Sequence, residues 1–188
     1  MTYSNRIAFL SLVFSCFAMS TQAAELNGVK MDDSVTLGGK TLVLNGMGLR
    51  AATIFKVKVY VGGLYLEAKS QDPSAILESK GLKKVEMRFL RDVSAEKIRD
   101  AWSKSFTDNC GAQCEALKPR FDSLNQMMPE FKNGDSLQLA FHPDRVEISY
   151  NGAEKGKITG EDFARALLTT WMGNKPPSDE LKAGMLGK

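Results

Sequence analysis

Thr53-Ile-Phe-Lys-Val-Lys-Val-Tyr-Val-Gly-Gly-Leu-Tyr-Leu66 is the stretch that decides the fold. Phe55, Val57, Val59 and Val61 recur at every second position, and Lys56, Lys58 and Tyr60 fill the alternate ones. A period of two places alternate side chains on opposite faces of an extended chain, so the run predicts one long β-strand. A strand of this length belongs in the middle of a large sheet. Gly62-Gly63 interrupts the pattern and predicts a bulge or bend.

On the N-terminal side, Asn45-Gly-Met-Gly-Leu-Arg50 reads as a glycine-rich bend. Before it, Val35–Leu44 reads as two short strands about the turn Gly38-Gly39. Gly39-Lys40-Thr41 imitates the end of a phosphate-binding loop, but Ser34 stands where that motif needs its first glycine.

On the C-terminal side, Asp72-Pro73 opens a short helix over Ser74–Lys80, and Lys84–Leu90 alternates again as a strand. Ser94 fits a helix N-cap, followed by one mainly apolar stripe of Ile98, Ala101, Trp102, Ser105 and Phe106. Pro119 fits the first position of a further helix lined by Phe121, Leu124 and Met128. Leu137–Phe141 and Val146–Tyr150 alternate as strands joined through His142-Pro-Asp-Arg145, and Asn151-Gly152 turns into a third strand near Gly156–Ile158. Thr159 is placed to cap a last helix, with Phe163, Ala166, Leu167, Thr170 and Trp171 as its buried stripe; Gly173 and Pro176-Pro177 end it. Several antiparallel strands with three substantial helices predict an α+β layer, one face of the sheet covered by helices.

The first 23 residues read as a secretory leader. A polar start with Arg6 precedes the apolar run Ile7–Phe17 and a small-residue exit ending at Ala23. That run falls short of the roughly 20 apolar residues a membrane span requires. Bulky Phe14 weighs against a lipoprotein cut before Cys16. The expectation is a periplasmic or secreted protein in which residues 24–188 form one domain. With Arg6 removed, 24 of the 25 basic residues remain against 22 acidic ones, a net charge of +2. Such a balance offers no field for nucleic acid. No apolar stretch after residue 24 approaches membrane length.

Cys110 and Cys114 are the two remaining cysteines. Export and an even count favour a structural disulfide at a turn between two helices. A redox pair more often has two intervening residues, and two cysteines with one histidine fall short of the four ligands of a zinc site. His142 has no nucleophile motif beside it and reads as a turn residue. Trp102, Trp171, Met127 and Met128 read as packing. Lys80, Lys83, Lys84, Arg88 and Arg91 read as a solvated basic face. Arg50 is the first candidate for chemistry, because a guanidinium binds a carboxylate or enolate with two parallel hydrogen bonds. Tyr60 is the second, if its hydroxyl reaches the same cleft. No cofactor or metal motif stands out.

Taken together, Gly46-x-Gly48-x-Arg50, Lys58-Val-Tyr-Val-Gly-Gly-Leu-Tyr-Leu-Glu67, Arg91-Asp-Val-Ser-Ala-Glu-Lys-Ile98 and Phe163-Ala-Arg-Ala-Leu-Leu-Thr-Thr-Trp-Met-Gly-Asn-Lys-Pro176 resemble the chalcone isomerase superfamily, and more closely its exported bacterial members. The resemblance implies an open-faced β-sandwich, a long antiparallel sheet covered by helices with a cleft between them. In plant enzymes of the family an arginine stabilises the attacking phenolate as a chalcone closes to a flavanone, assisted by tyrosine, threonine and asparagine. In fatty-acid-binding relatives an arginine and a tyrosine hold the carboxylate. Arg50 matches the family arginine. Tyr60 falls, after a two-residue shortening, where the enzymes have threonine and the lipid binders tyrosine. Ser94 and Ala101 replace the enzymes' tyrosine and asparagine. The resemblance therefore implies a binder of a small amphipathic anion such as a fatty acid, with Arg50 and Tyr60 as ligand-binding residues. An isomerase or lyase using Arg50 to stabilise an oxyanion is the alternative.

Overall fold

In a computed structural model, residues 23–53 and 55–188 are described. The leader expected over residues 1–23 lies outside them apart from its last position. The elements run β1 Ala24–Leu26, β2 Val29–Met31, β3 Ser34–Leu37, β4 Lys40–Ala52, β5 Val57–Leu66, α1 Pro73–Glu78, β6 Lys83–Phe89, α2 Ala95–Asn109, α3 Cys114–Gln126, β7 Ser136–Phe141, β8 Arg145–Tyr150, β9 Ala153–Thr159, α4 Glu161–Met172 and α5 Asp179–Met185. Strands β3 to β9 form one antiparallel meander in chain order, and β1–β2 is a separate hairpin. The expected α+β class and long antiparallel sheet are present.

The helices cover one face of the meander. Leu64, Leu66, Val85, Met87, Leu137, Leu139 and Ile148 from the strands meet Trp102, Leu124, Phe163, Leu167 and Trp171 from the helices, all buried. Phe106 and Phe121 stack at 4.3 Å and tie α2 to α3. On the opposite face a smaller cluster of Met31, Leu42, Leu44, Val61 and Tyr65 lies under the β1–β2 hairpin. Both tryptophans and Met128 pack as expected, and Met127 is half-buried.

Several local expectations are corrected. Asn45–Arg50 is not a bend but the middle of β4. Gly62-Gly63 does not break β5: the two glycines pair in register with Gly48 and Met47. The bulges lie elsewhere, at Asn45 in β4 and at Val59 in β5, where one residue is left over between Leu44↔Tyr65 and Gly46↔Leu64 and between Arg50↔Tyr60 and Ala51↔Lys58. An extra residue reverses the alternation beyond it. Lys58 therefore turns to the hairpin side, its Nζ donating to Asn27 Oδ1 at 2.6 Å, while Tyr60 turns to the helices. The two do not share a face, contrary to the simple alternation. β5 starts at Val57, and Phe55 stands in the preceding loop, 81% exposed.

Helix α3 begins at Cys114, not at Pro119. A 3₁₀ turn over Gly111–Gln113 with Gly111 at φ +58° already redirects the chain. Pro119 is tolerated inside the helix because it and Glu115, whose carbonyl its missing N–H would have met, are both exposed to water. Cys110 and Cys114 are joined in a disulfide with Cα atoms 5.0 Å apart. Thr159 does not cap α4; it ends β9, and Gly160 is the N-cap. Gly160 leaves room for Arg120, which grips Asp162 with two hydrogen bonds of 2.7 and 2.6 Å.

Helix α5 was not foreseen at all. Pro176-Pro177 ends the preceding segment, but Ser178 then caps a new helix by accepting from Leu181 N. Leu181, Met185 and Leu186 are buried against β4 and β5, each side chain contributing about 2 kcal/mol. Their approach depends on glycine. A methyl group on Gly46 or Gly48 would overlap backbone of α5, and one on Gly184 would meet Gly48 Cα at 2.6 Å. Asn45 locks the contact, its amide donating to Met185 O and Ser70 O, both at 2.9 Å.

The basic face resolves into separate parts. Buried Glu86 binds Lys84 at 2.9 Å and Arg88 at 2.7 Å. Lys80 pairs with Glu161. Lys83 is not solvated: it is 6% exposed, and its ammonium donates to the carbonyls of Ser79 and Gly81 at 2.6 and 2.9 Å. His142 sits in its turn with Nε2 3.2 Å from Glu147 Oε2. Among the described residues no helix is long and apolar enough to cross a membrane.

Candidate functional site

Where α5 stops covering the sheet, a cavity of about 560 Å³ opens. Its floor is the far end of the β4–β5 pair, its roof α2, and its inner wall the end of α4 with Lys175-Pro-Pro177. Small-molecule sites commonly enclose about 300–1,000 Å³. Arg50 and Tyr60 both line it, and they are direct cross-strand partners. The bulge at Val59 brings this about, since it is the step that turns Tyr60 toward the helices. The two sequence candidates are thus neighbours on one face.

Arg50 is half-buried, and one of its guanidinium nitrogens donates to the Ala51 carbonyl, which fixes the side chain while its other donors remain for the cavity. Tyr60 is 7% exposed and packs 5.8 Å from Phe89. Trp171 Nε1 donates to its hydroxyl oxygen at 3.4 Å, so the hydroxyl hydrogen is free to donate onward. Burial pushes the Tyr60 phenol up to about 12, against the opposing pull of the Trp171 hydrogen bond and the Arg50 charge. At neutral pH this group is a fixed neutral donor, not a base.

The remaining lining is largely apolar: Val57, Val59, Val93, Ile98, Trp102 and Trp171. The two tryptophans meet edge to face at 5.7 Å and form the inner wall. Arg50, Arg91, Lys97, Lys104 and Lys175 face two carboxylates, Asp92 and Asp108. Both carboxylates are already engaged. Asp92 accepts from Asn133 N and Lys132 and is held below the usual carboxylate range, chiefly by the first. Lys104 holds Asp108 down in the same way. Arg50, Arg91, Lys97 and Lys175 have no carboxylate partner among the described residues. An apolar chamber with surplus positive charge attracts a ligand with a greasy body and an acidic end.

Ser94 and Ala101 supply no side-chain donor here. Ser94 caps α2 by accepting from Lys97 N at 3.4 Å and does not line the cavity; Ala101 presents a methyl group. Sequence reasoning missed two contributors. Trp171 was read as core, yet it also orients Tyr60. Ser105 lines the cavity with a buried hydroxyl that has no partner. Its place one turn beyond Ala101 on the cavity stripe of α2 was the available signal. Asn109 ties the end of α2 to the segment after α4, exchanging hydrogen bonds with the Lys175 carbonyl at 2.9 Å and amide at 3.3 Å.

The crystal structure of a fatty-acid binding protein from Arabidopsis thaliana superposes with a TM-score of 0.74 over 88% of this chain and 96% of that one, at 13% identity. At that identity the likeness shows the fold. No match is found among curated protein sequences. The sequence matches the chalcone isomerase-like family over residues 23–187. The chain belongs to the chalcone isomerase-like family.

Proposed function

We propose that this protein binds a fatty acid or a similar amphipathic carboxylate in the cavity between α2, α4 and the β4–β5 pair. Arg50 pairs with the carboxylate, Tyr60 donates a hydrogen bond to it, and the tail lies along the apolar wall. The observation that carries this reading is the cross-strand pair Arg50↔Tyr60 opening into an apolar chamber whose own carboxylates are already paired. The fold neighbour named for fatty-acid binding supports it. Each methylene removed from water adds about 0.8 kcal/mol, and the charge-assisted head-group contacts set the orientation. Export to the periplasm or beyond, read from the leader pattern, is part of the same proposal.

The positions of Ser94 and Ala101 support binding over ring closure of a chalcone, because the polar assistants which the enzymes bring to the cleft are replaced here by a capping hydroxyl and a methyl. Titration with palmitate and with hexadecanol tests the proposal. Saturable palmitate binding, at least tenfold tighter than that of the alcohol, is expected from a charge-assisted anchor. Absent or equal binding of the two contradicts it. Native mass spectrometry of protein purified from its own compartment adds a direct check, with a co-purifying acid as the expected result.

A further inference from the structure

Phe55 is the single large hydrophobic side chain left exposed among the described residues, at 81%. It lies in the β4–β5 loop, between Thr53 and Val57, both of which line the cavity. Two of its residues have an uncommon backbone conformation. Thr53 and Lys56 both take positive φ, +63° and +49°, and the Thr53 carbonyl and hydroxyl accept from Lys56 N at 3.1 Å and Phe55 N at 3.3 Å. A β-branched residue in this region of backbone space is strained, and such strain collects at functional sites. Here its effect is to hold an aromatic ring out in solvent at the rim of the cavity.

Asp92 and Asp108, the carboxylates that line the cavity, are paired with Lys132 and Lys104, so the charges left without a partner around that rim are cations. Lys56 flanks Phe55 in the loop, and Arg91 and Lys97 stand on the same cavity margin from the β6–α2 connection and the first turn of α2. All three are exposed and have no carboxylate partner among the described residues. An exposed aromatic surrounded by unpaired cations fits a surface that is apolar beneath and anionic on top. We propose that this loop docks the protein on an anionic lipid bilayer, with Phe55 entering the headgroup region and Lys56, Arg91 and Lys97 meeting its phosphates. Docking there turns the cavity mouth toward the membrane, where an amphipathic acid enters or leaves without crossing water. The inference extends the ligand reading, but vesicle binding needs nothing in the cavity, so the two fail separately.

The test is co-sedimentation with vesicles of phosphatidylglycerol and phosphatidylcholine against vesicles of phosphatidylcholine alone. The protein is expected to sediment with the first and not the second, and to be released as salt rises from about 50 to about 500 mM. Phe55→Ser is expected to weaken partitioning about tenfold and Lys56→Glu at least fivefold, each with an unchanged thermal midpoint. Phe55→Trp is expected to give a blue-shifted fluorescence component on addition of the anionic vesicles only. Absent sedimentation at low salt, equal sedimentation with neutral vesicles, or full binding by Phe55→Ser overturns the proposal. Concentration-dependent self-association that Phe55→Ser abolishes assigns the ring to a second copy of the chain and overturns it as well.

Discussion

The two ends of the helix-facing side of β4 differ by one substitution pattern. Gly46, Gly48 and Arg50 recur at every second position on that face. Over the glycines α5 lies backbone to backbone against the strand, sealed by Asn45 and the buried side chains of Leu181 and Met185. Beside Arg50 the strand pair instead floors a cavity roofed by α2. One strand thus builds a closed wall and an open chamber a few ångströms apart. The absence of a side chain admits the helix, and the cavity lies where the long charged one begins. The partner strand repeats the contrast, with Gly62 under α5 and Tyr60 under the cavity.

Filling the closed end is the most damaging way to break this contrast. Gly48→Ala places a methyl on the Leu181 carbonyl, and α5 must lift. The expected loss is about 3 kcal/mol, read as a drop of about 10 °C in the thermal midpoint. A variant as stable as the parent would show that α5 is not seated on the glycines. At the open end the buried Tyr60 hydroxyl gives a pH signature. Its folded value of about 12 lies above the ordinary 10. The unfolded chain therefore releases this proton first, so the stabilisation is complete below pH 10 and is lost as pH rises from 10 to 12. That loss amounts to about 3 kcal/mol. Denaturant unfolding of the protein and of Tyr60→Phe across that range is expected to show a steeper decline in the parent; parallel curves would contradict a buried, neutral phenol. The disulfide at the end of α2, away from the strand pair, contributes least. Closing so short a loop is worth about 2 kcal/mol at most, so Cys110→Ser with Cys114→Ser is expected to lower stability by no more than that and leave palmitate affinity within about twofold. A larger loss of affinity would tie the α2–α3 turn to the cavity wall.

How much of this was legible in the sequence follows the same division. Periodicity found β5 through β8 and the stripes of α2 and α4, because each buries one face and the pattern records it. It failed where glycine serves contact instead of turning. Gly46 and Gly48 were read as a bend, and Gly62-Gly63 as a break, because a lone sequence does not show that another backbone lies against them. The bulge at Val59 left no signal either, since valine is an ordinary strand residue, yet it decides that Tyr60 faces the helices and Lys58 does not. Helix α5 was missed because Pro176-Pro177 reads as an ending; Ser178 followed by Asp179 and Glu180 was the cap signal that outweighed it. Arg50 and Tyr60 were legible as candidates from their chemistry, and family resemblance added to it. Trp171 and Ser105 were not, since their work depends on distances that only the folded chain contains.

The central proposal is that Arg50 anchors the carboxylate of an acid in the chamber. Titration of the parent and of Arg50→Ala with palmitate and hexadecanol tests it most directly. The account predicts that the variant keeps its fold and its affinity for the alcohol while palmitate binding weakens tenfold to about a hundredfold. Equal palmitate affinity in the two proteins would contradict it.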